Sequence, residues 1–144
     1  MPEISSPRPG LPYVLVTPSP GEGVGDLTAD AVLALYRAHG AILFRGFDFD
    51  LAAFRAFTEI FCSSSVFNES PDRLLLDDEN NIQSVNGGTD PFPLHPELSR
   101  EPWKPDTCFF CCLNPPREAG ETTICGFVRR LPTSVPPPSA HPFA

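Results

Sequence analysis

The sequence predicts an α+β fold that is mainly β, with two helices in its N-terminal half. Short runs of β-branched, aromatic and apolar residues are separated by turn-forming residues, which is typical of short strands. Two segments before residue 62 combine helix-capping residues with apolar runs of helical length. Proline accounts for 19 of the 144 residues, about 13% against a usual ~5%. This content favours turns and strand edges over a helical bundle, and the length indicates one domain.

The first predicted elements are a strand, a helix and a second strand. The first strand covers 13–17, where the sequence YVLVT is rich in β-branched and aromatic residues. Asp26 or Thr28 can cap the helix, and Gly40 stands where a stop glycine is expected. The continuous apolar run AILF at 41–44 predicts a strand that is buried on both faces.

The rest of the chain predicts a second helix followed by three strands. Asp48 or Asp50 begins the helix, whose apolar residues recur at spacings of three and four and therefore form one face. These residues are Leu51, Phe54, Phe57, Ile60 and Phe61. Residues 82–85 predict a short strand, the apolar run TCFFCCL at 107–113 predicts a buried strand, and 122–125 predicts another short strand.

Charge and composition argue against several classes of function. Ten Lys and Arg stand against 18 Asp and Glu, a net charge of −8, so the chain lacks the basic surface of a nucleic-acid-binding protein. The same charge opposes binding to an anionic membrane, and no apolar run is long enough to span a bilayer. The N-terminus shows no secretory signal pattern, and five cysteines, an odd number, predict reduced thiols. We therefore expect a cytoplasmic protein.

His95 and Glu97 form the strongest candidate site in the sequence. Residues two apart point to the same side of an extended chain, so the imidazole and the carboxylate would face one ligand. They would supply two of the three ligands of the 2-His-1-carboxylate triad that binds non-haem Fe(II). Taken alone, however, an H-x-E pattern is more often an ordinary polar pair at a strand edge.

Three segments, taken together, resemble the TauD/TfdA-type Fe(II)/2-oxoglutarate-dependent dioxygenases. GAILFRGF at 40–47 is similar to the early G-x-x-x-F-R-G-F strand of that family. PLHPELS at 93–99 is similar to its metal-binding strand. PDTCFFC at 105–111, with GETT at 120–123, is similar to the next strand and to the P-x-x-G-G-[ED]-T turn. The resemblance covers roughly residues 11–128.

The resemblance implies a fold, a reaction and a set of site residues. The fold would be part of a double-stranded β-helix, or jelly roll. His95 would be the first iron ligand, and Glu97 the carboxylate ligand in place of the commoner Asp, as in the clavaminate-synthase-like branch. Thr122 would hydrogen-bond a carboxylate of 2-oxoglutarate, and Asn86 is a weaker candidate for contact with substrate or co-substrate. The reaction would couple decarboxylation of 2-oxoglutarate to hydroxylation of a C–H bond in a small-molecule substrate.

The family pattern also requires residues that this sequence does not supply in the expected context. Family members carry a second histidine ligand and a 2-oxoglutarate-binding arginine well downstream, whereas the sole later histidine here is His141, in a Pro-rich segment. We therefore expect 13–128 to be the N-terminal part of such a domain, weak or inactive by itself. Residues 1–12 are expected to be loose, and 129–144, with five prolines, to be a disordered tail.

Two other interpretations stay open. Cys108 and Cys111 have the C-x-x-C spacing of zinc sites, although a strand would place them on opposite faces. The chain could also be a non-catalytic remnant or interaction module of the same fold, with its Pro-rich tail as a ligand for aromatic grooves. The pattern predicts neither the substrate nor the oligomeric state.

Overall fold

The computed structural model describes residues 1–6, 11–88, 93–98, 102, 104–115, 117–118 and 122–124. This part of the chain contains five short strands, one 3-10 helix and two α-helices. Their bounds are β1 Glu3–Ser5, β2 Val14–Thr17, a 3-10 helix Val24–Asp26, α1 Ala29–His39, β3 Ile42–Phe44, α2 Leu51–Glu59, β4 Leu75–Asp77 and β5 Ile82–Gln83. The predicted tail at 129–144 lies outside the described residues.

Strand β2 is the centre of a three-stranded sheet with the order β1-β2-β3. It pairs antiparallel with β1 and parallel with β3, and α1 lies in the crossover connection that a parallel pair requires. Val14 and Val16 alternate along β2 and are only 2% and 1% exposed, because alternate residues of a strand face the same side. The strand predicted at 13–17 is therefore confirmed.

The sheet corrects two predictions. Strand β3, expected to be buried on both faces, is half-buried along its length, since β2 is its only neighbour among the described strands. Residues 1–12, expected to be loose, contain β1, in which Ile4 pairs with Val16. The Met1 ammonium also lies 3.8 Å from Glu22 Oε1, and this ion pair and the strand pairing hold the N-terminal segment against the sheet.

Both helices begin at a residue that the sequence offered as one of two alternatives. Thr28 Oγ1 accepts a hydrogen bond from the Ala31 N–H at 3.4 Å, and Asp50 Oδ1 accepts one from the Ala53 N–H at 2.7 Å. Each satisfies a donor that the first turn of a helix leaves open. Gly40 ends α1 with a φ of 79°, a left-handed conformation that glycine adopts without a Cβ clash.

Helix α2 places Phe57 in the centre of the core. Phe57 is 3% exposed and packs against three buried aliphatic side chains, which are Val24, Leu27 and Val32. Four aromatic rings surround it in edge-to-face geometry, with centroids 5.1–6.4 Å away, and these are Phe44, Phe49, Phe61 and Phe109. Ile60, predicted on the same face, is instead 51% exposed, because α2 ends at Glu59 and the core lies on the Phe61 side.

Strands β4 and β5 form a two-stranded antiparallel hairpin. Strand β5 confirms the first part of the strand predicted at 82–85. Strand β4 was not predicted. It has only three residues, LLD, which are mostly exposed, and charged residues flank the apolar run 74–76 on both sides. A hairpin this short is held by hydrogen bonds beyond its strands more than by apolar burial.

The predicted strands at 107–113 and 122–125 are not found in the described residues. Residues 107–113 still show alternation, because Thr107, Phe109 and Cys111 are half-buried while their neighbours in 108–112 are exposed. The period of two is therefore present, but no strand in the described part of the chain pairs with this segment. Residues 122–124 are exposed.

Candidate metal centre

The open end of the β4–β5 hairpin brings Arg73 and Asn86 together. The Ser84 N–H donates to the Leu74 carbonyl at 2.8 Å, and the Leu74 N–H donates to Ser84 Oγ at 2.9 Å. These bonds extend the hairpin beyond its two strands and set the next residues opposite each other. Arg73 Nε then donates to Asn86 Oδ1 at 2.8 Å.

His95 and Glu97 lie on one side of the segment 93–98. His95 Nε2 is 3.7 Å from Glu97 Oε1, so the proximity predicted from alternation is found, although 93–96 is irregular and 97–98 is a turn. His95 Nδ1 is 2.8 Å from the Pro93 carbonyl oxygen. A carbonyl at Nδ1 favours the tautomer with the proton there and directs the Nε2 lone pair towards Glu97. The pair can therefore present one imidazole nitrogen and one carboxylate oxygen to a cation.

Arg73 links Glu97 to the hairpin. Arg73 Nη2 lies 4.0 Å from Glu97 Oε2, while the other carboxylate oxygen faces His95. The Arg73 and Glu97 side chains are 17% and 27% exposed, so solvent screens this ion pair only in part. Two predicted site residues, Asn86 and Glu97, are therefore joined through an arginine.

Cys108 lies within electrostatic reach of this cluster. Desolvation raises the pKa of its thiol, the negative charge of Glu97 raises it further, and Arg73 partly offsets the increase. A raised pKa makes the thiol a poorer nucleophile and a poorer metal ligand than an unperturbed cysteine. Cys108 is exposed and Cys111 is half-buried, as expected for residues on opposite sides of an extended chain. This arrangement disfavours the pair as a joint zinc site.

The other predicted site residues are less well placed. Thr122 is exposed. Residues 119–121, predicted to form the turn before it, lie outside the described residues, as does His141. Among the residues that the structure describes, no three His, Cys, Asp or Glu side chains gather as a metal site. His95 and Glu97 therefore form a two-ligand arrangement.

Residues 17–131 match the family model described as Taurine catabolism dioxygenase TauD, TfdA family. The chain belongs to the TauD/TfdA family. The match includes both His95 and Glu97, and it confirms the resemblance drawn from the three sequence segments. No curated protein and no solved structure matches the chain.

TauD/TfdA proteins are Fe(II)/2-oxoglutarate dioxygenases that act on small-molecule substrates and have a jelly-roll-like fold. The small sheets and two helices found here are consistent with that fold. Over the described ranges, neither helix combines the length and the apolar content needed to cross a bilayer.

Arg73 is the site residue that the sequence analysis missed. It is the only cation between residues 63 and 80, in a stretch rich in Ser, Asn, Asp and Glu. A single arginine in such a stretch is a weak signal, because a solvated side chain has the same appearance in sequence. Its role becomes visible only where the hairpin sets it against Asn86 and Glu97.

Proposed function

We propose that this chain is an Fe(II)- and 2-oxoglutarate-dependent dioxygenase of the hydroxylase type, acting on a C–H bond of a small molecule. The observation that carries the proposal is the 3.7 Å approach of His95 Nε2 to Glu97 Oε1, within the residues that match the TauD/TfdA family. Because Glu97 supplies a carboxylate, we favour hydroxylation over halogenation, in which a small residue replaces that ligand and chloride binds the metal.

The donor set suits Fe(II). A neutral imidazole nitrogen and a carboxylate oxygen belong to the facial triad of non-haem iron oxygenases. His95 and Glu97 would hold the ion, Thr122 would contact a carboxylate of 2-oxoglutarate, and Asn86 would contact substrate or co-substrate. When bound, iron and 2-oxoglutarate supply the oxidising chemistry. The chain itself would orient these groups.

We further propose that the third ligand and the arginine for the distal carboxylate of 2-oxoglutarate lie outside the described residues. With His95 and Glu97 alone, iron would bind far more weakly than in a full triad, and the activity of this chain by itself would be weak or absent. Residues 13–128 would be the N-terminal part of a double-stranded β-helix. The 58% exposure of Phe110 supports this, since further strands would cover the segment 107–113.

We also propose a cytoplasmic location and a function without nucleic acid or membrane partners. The net charge of −8 supports the second point. The cysteines in the described ranges are all free thiols, which is the expected state in a reducing compartment.

The first test is an anaerobic titration of the full chain with Fe(II) and 2-oxoglutarate. We expect the weak visible charge-transfer band of an Fe(II)–2-oxoglutarate chelate, and its loss in His95→Ala and in Glu97→Ala, because each variant removes half of the ligand pair. His39→Ala is the matched control, since His39 lies in the last turn of α1 and should leave the band unchanged.

The outcomes separate the two interpretations of the family membership. A band that depends on His95 and Glu97 supports the dioxygenase. If no band forms while circular dichroism shows a folded chain, the proposal fails, and the chain is better described as a non-catalytic member of the family.

A further inference from the structure

We infer that Arg73 is a positioning residue of the candidate metal centre. It would hold Oε2 of Glu97 so that Oε1 of the same carboxylate faces the metal. This inference rests on the proposed function, because it assigns Glu97 as the carboxylate ligand. It extends that function to a residue of the β4–β5 hairpin, outside the H-x-E segment.

The two oxygens of Glu97 have different neighbours. Oε1 faces His95 Nε2 at 3.7 Å, and Oε2 faces Arg73 Nη2 at 4.0 Å. Because its oxygens have different neighbours, the carboxylate presents only Oε1 to a metal ion that His95 would also bind. Its second oxygen is directed to a fixed positive charge, which favours binding through one oxygen over binding through both.

Arg73 is itself held in place. Its Nε donates to Asn86 Oδ1 at 2.8 Å, and Asn86 Nδ2 donates to Ser70 Oγ at 3.2 Å. The Gly87 N–H donates to the Asp72 carbonyl at 3.3 Å, which closes the backbone around the pair. With 17% of its side chain exposed, Arg73 has fewer accessible rotamers than a surface arginine, so less order must be imposed when Glu97 binds a metal.

The positive charge of Arg73 would also balance the charge of the site once Fe(II) and 2-oxoglutarate are bound. Fe(II), one carboxylate ligand and doubly charged 2-oxoglutarate together carry one net negative charge. Arg73 beside Glu97 would balance it in a partly shielded place, where an uncompensated charge is costly. Residues that orient a ligand from outside the coordination shell typically change metal affinity by about 10–100-fold when they are lost.

Besides the proposed contact with substrate or co-substrate, Asn86 acts through Arg73. Both ends of its side chain are engaged, since Oδ1 accepts from Arg73 and Nδ2 donates to Ser70. Loss of Asn86 should therefore reproduce part of the loss of Arg73, and the two losses should not add, because residues that act as one unit are not independent.

The experiment is titration of the full chain with Co(II), a spectroscopic substitute for Fe(II), with circular dichroism as a check on folding. Arg73→Gln should raise the Kd for Co(II) by about tenfold or more. Arg73→Lys should recover part of the affinity, because it restores the charge without the fork that also reaches Asn86. Asn86→Ala should also raise the Kd for Co(II). The double variant Arg73→Gln/Asn86→Ala should have a Kd close to that of Arg73→Gln.

Arg55→Gln is the matched control. Arg55 also pairs with hairpin carboxylates, with Nη1 at 3.3 Å from Asp77 Oδ2 and Nη2 at 2.8 Å from Glu79 Oε2, but no contact joins it to Glu97. The substitution removes one positive charge at the turn end of the hairpin, whereas Arg73 lies at its open end, so it should leave the Kd for Co(II) unchanged.

Two results would overturn the inference about Arg73 and leave the proposed function standing. One is an unchanged Kd for Co(II) in folded Arg73→Gln, and the other is an equal loss in Arg55→Gln. If the unsubstituted chain binds no Co(II), the proposed function fails first and the inference fails with it, so the two failures are distinguishable.

Discussion

The Cys108 thiol responds to the charges around the candidate metal centre. Desolvation raises its pKa most, the charge of Glu97 raises it further, and Arg73 lowers it. A thiol with a higher pKa in the folded chain keeps its proton over a range in which the unfolded chain has lost it. The stability that the neutral thiol contributes is complete below the unfolded pKa and is lost as the pH rises through the folded pKa.

We predict that Glu97→Gln shifts the alkylation of Cys108 to lower pH, because it removes a negative charge that opposes the thiolate. The measurement is the pH dependence of the iodoacetamide reaction in a chain with Cys108 as its only thiol. A chain with Cys111 as its only thiol is the control, since burial rather than Glu97 raises the pKa of Cys111. An unchanged Cys108 profile would contradict the coupling between Cys108 and Glu97.

Among the elements, helix α2 depends on its first residue. The sequence offers Asp48 and Asp50 as alternative starts, and the structure selects Asp50, whose Oδ1 accepts from the Ala53 N–H at 2.7 Å. The helix is only nine residues long, so its intrinsic stability is low and the cap and the burial of Phe57 must maintain it.

We predict that Asp50→Ala lowers the free energy of unfolding by about 0.5–2 kcal/mol, the usual cost of losing an N-cap side chain. Urea unfolding at neutral pH measures it. Asp48→Ala is the matched control and should change the stability little, since Asp50 rather than Asp48 caps the helix. Equal losses in the two variants would show that the cap is not the cause.

The same helix is tied to the hairpin by charge. Arg55 on α2 contacts Glu59, Asp77 and Glu79 at 2.8–3.3 Å. The pKa of its guanidinium is raised, first by the hydrogen bond to Glu59 and then by those carboxylates of the hairpin. Because the Arg55 side chain is 40% exposed, the network orients the hairpin on α2 and adds little to overall stability.

Over the whole molecule, Phe109 joins the segment 104–115 to the core. Its ring stacks on Phe61 with centroids 6.0 Å apart and meets Phe57 edge-on at 6.4 Å. Tyr36 Oη also donates to the Asp106 carbonyl at 3.3 Å. These contacts hold the segment in place without any strand pairing in the described residues.

We predict that Phe109→Ala lowers the free energy of unfolding by about 1–3 kcal/mol, less than the ~3–5 kcal/mol of a fully buried phenylalanine, because Phe109 is half-buried. It should also increase amide hydrogen exchange across 104–115. The neighbouring Phe110→Ala is the control, since Phe110 is 58% exposed. Similar exchange in both variants would contradict the role assigned to Phe109.

The sequence by itself determined the features that depend on near neighbours. The first helix and its glycine stop, strand β2 and the approach of His95 to Glu97 all follow from capping, alternation or a two-residue step. The resemblance to the TauD/TfdA family, confirmed over 17–131, also rested on local segments. Such features depend on only a few neighbouring residues, so they can be predicted without knowledge of the fold.

Only the tertiary structure decided which segments pair and which side chains are covered. It turned the N-terminal segment into β1, left β3 half-buried, and left 107–113 without a paired strand in the described residues. It also brought Arg73 to Glu97. These outcomes depend on contacts between residues far apart in sequence. The entropic cost of forming such contacts is offset only when the whole fold forms, so no local sequence pattern predicts them.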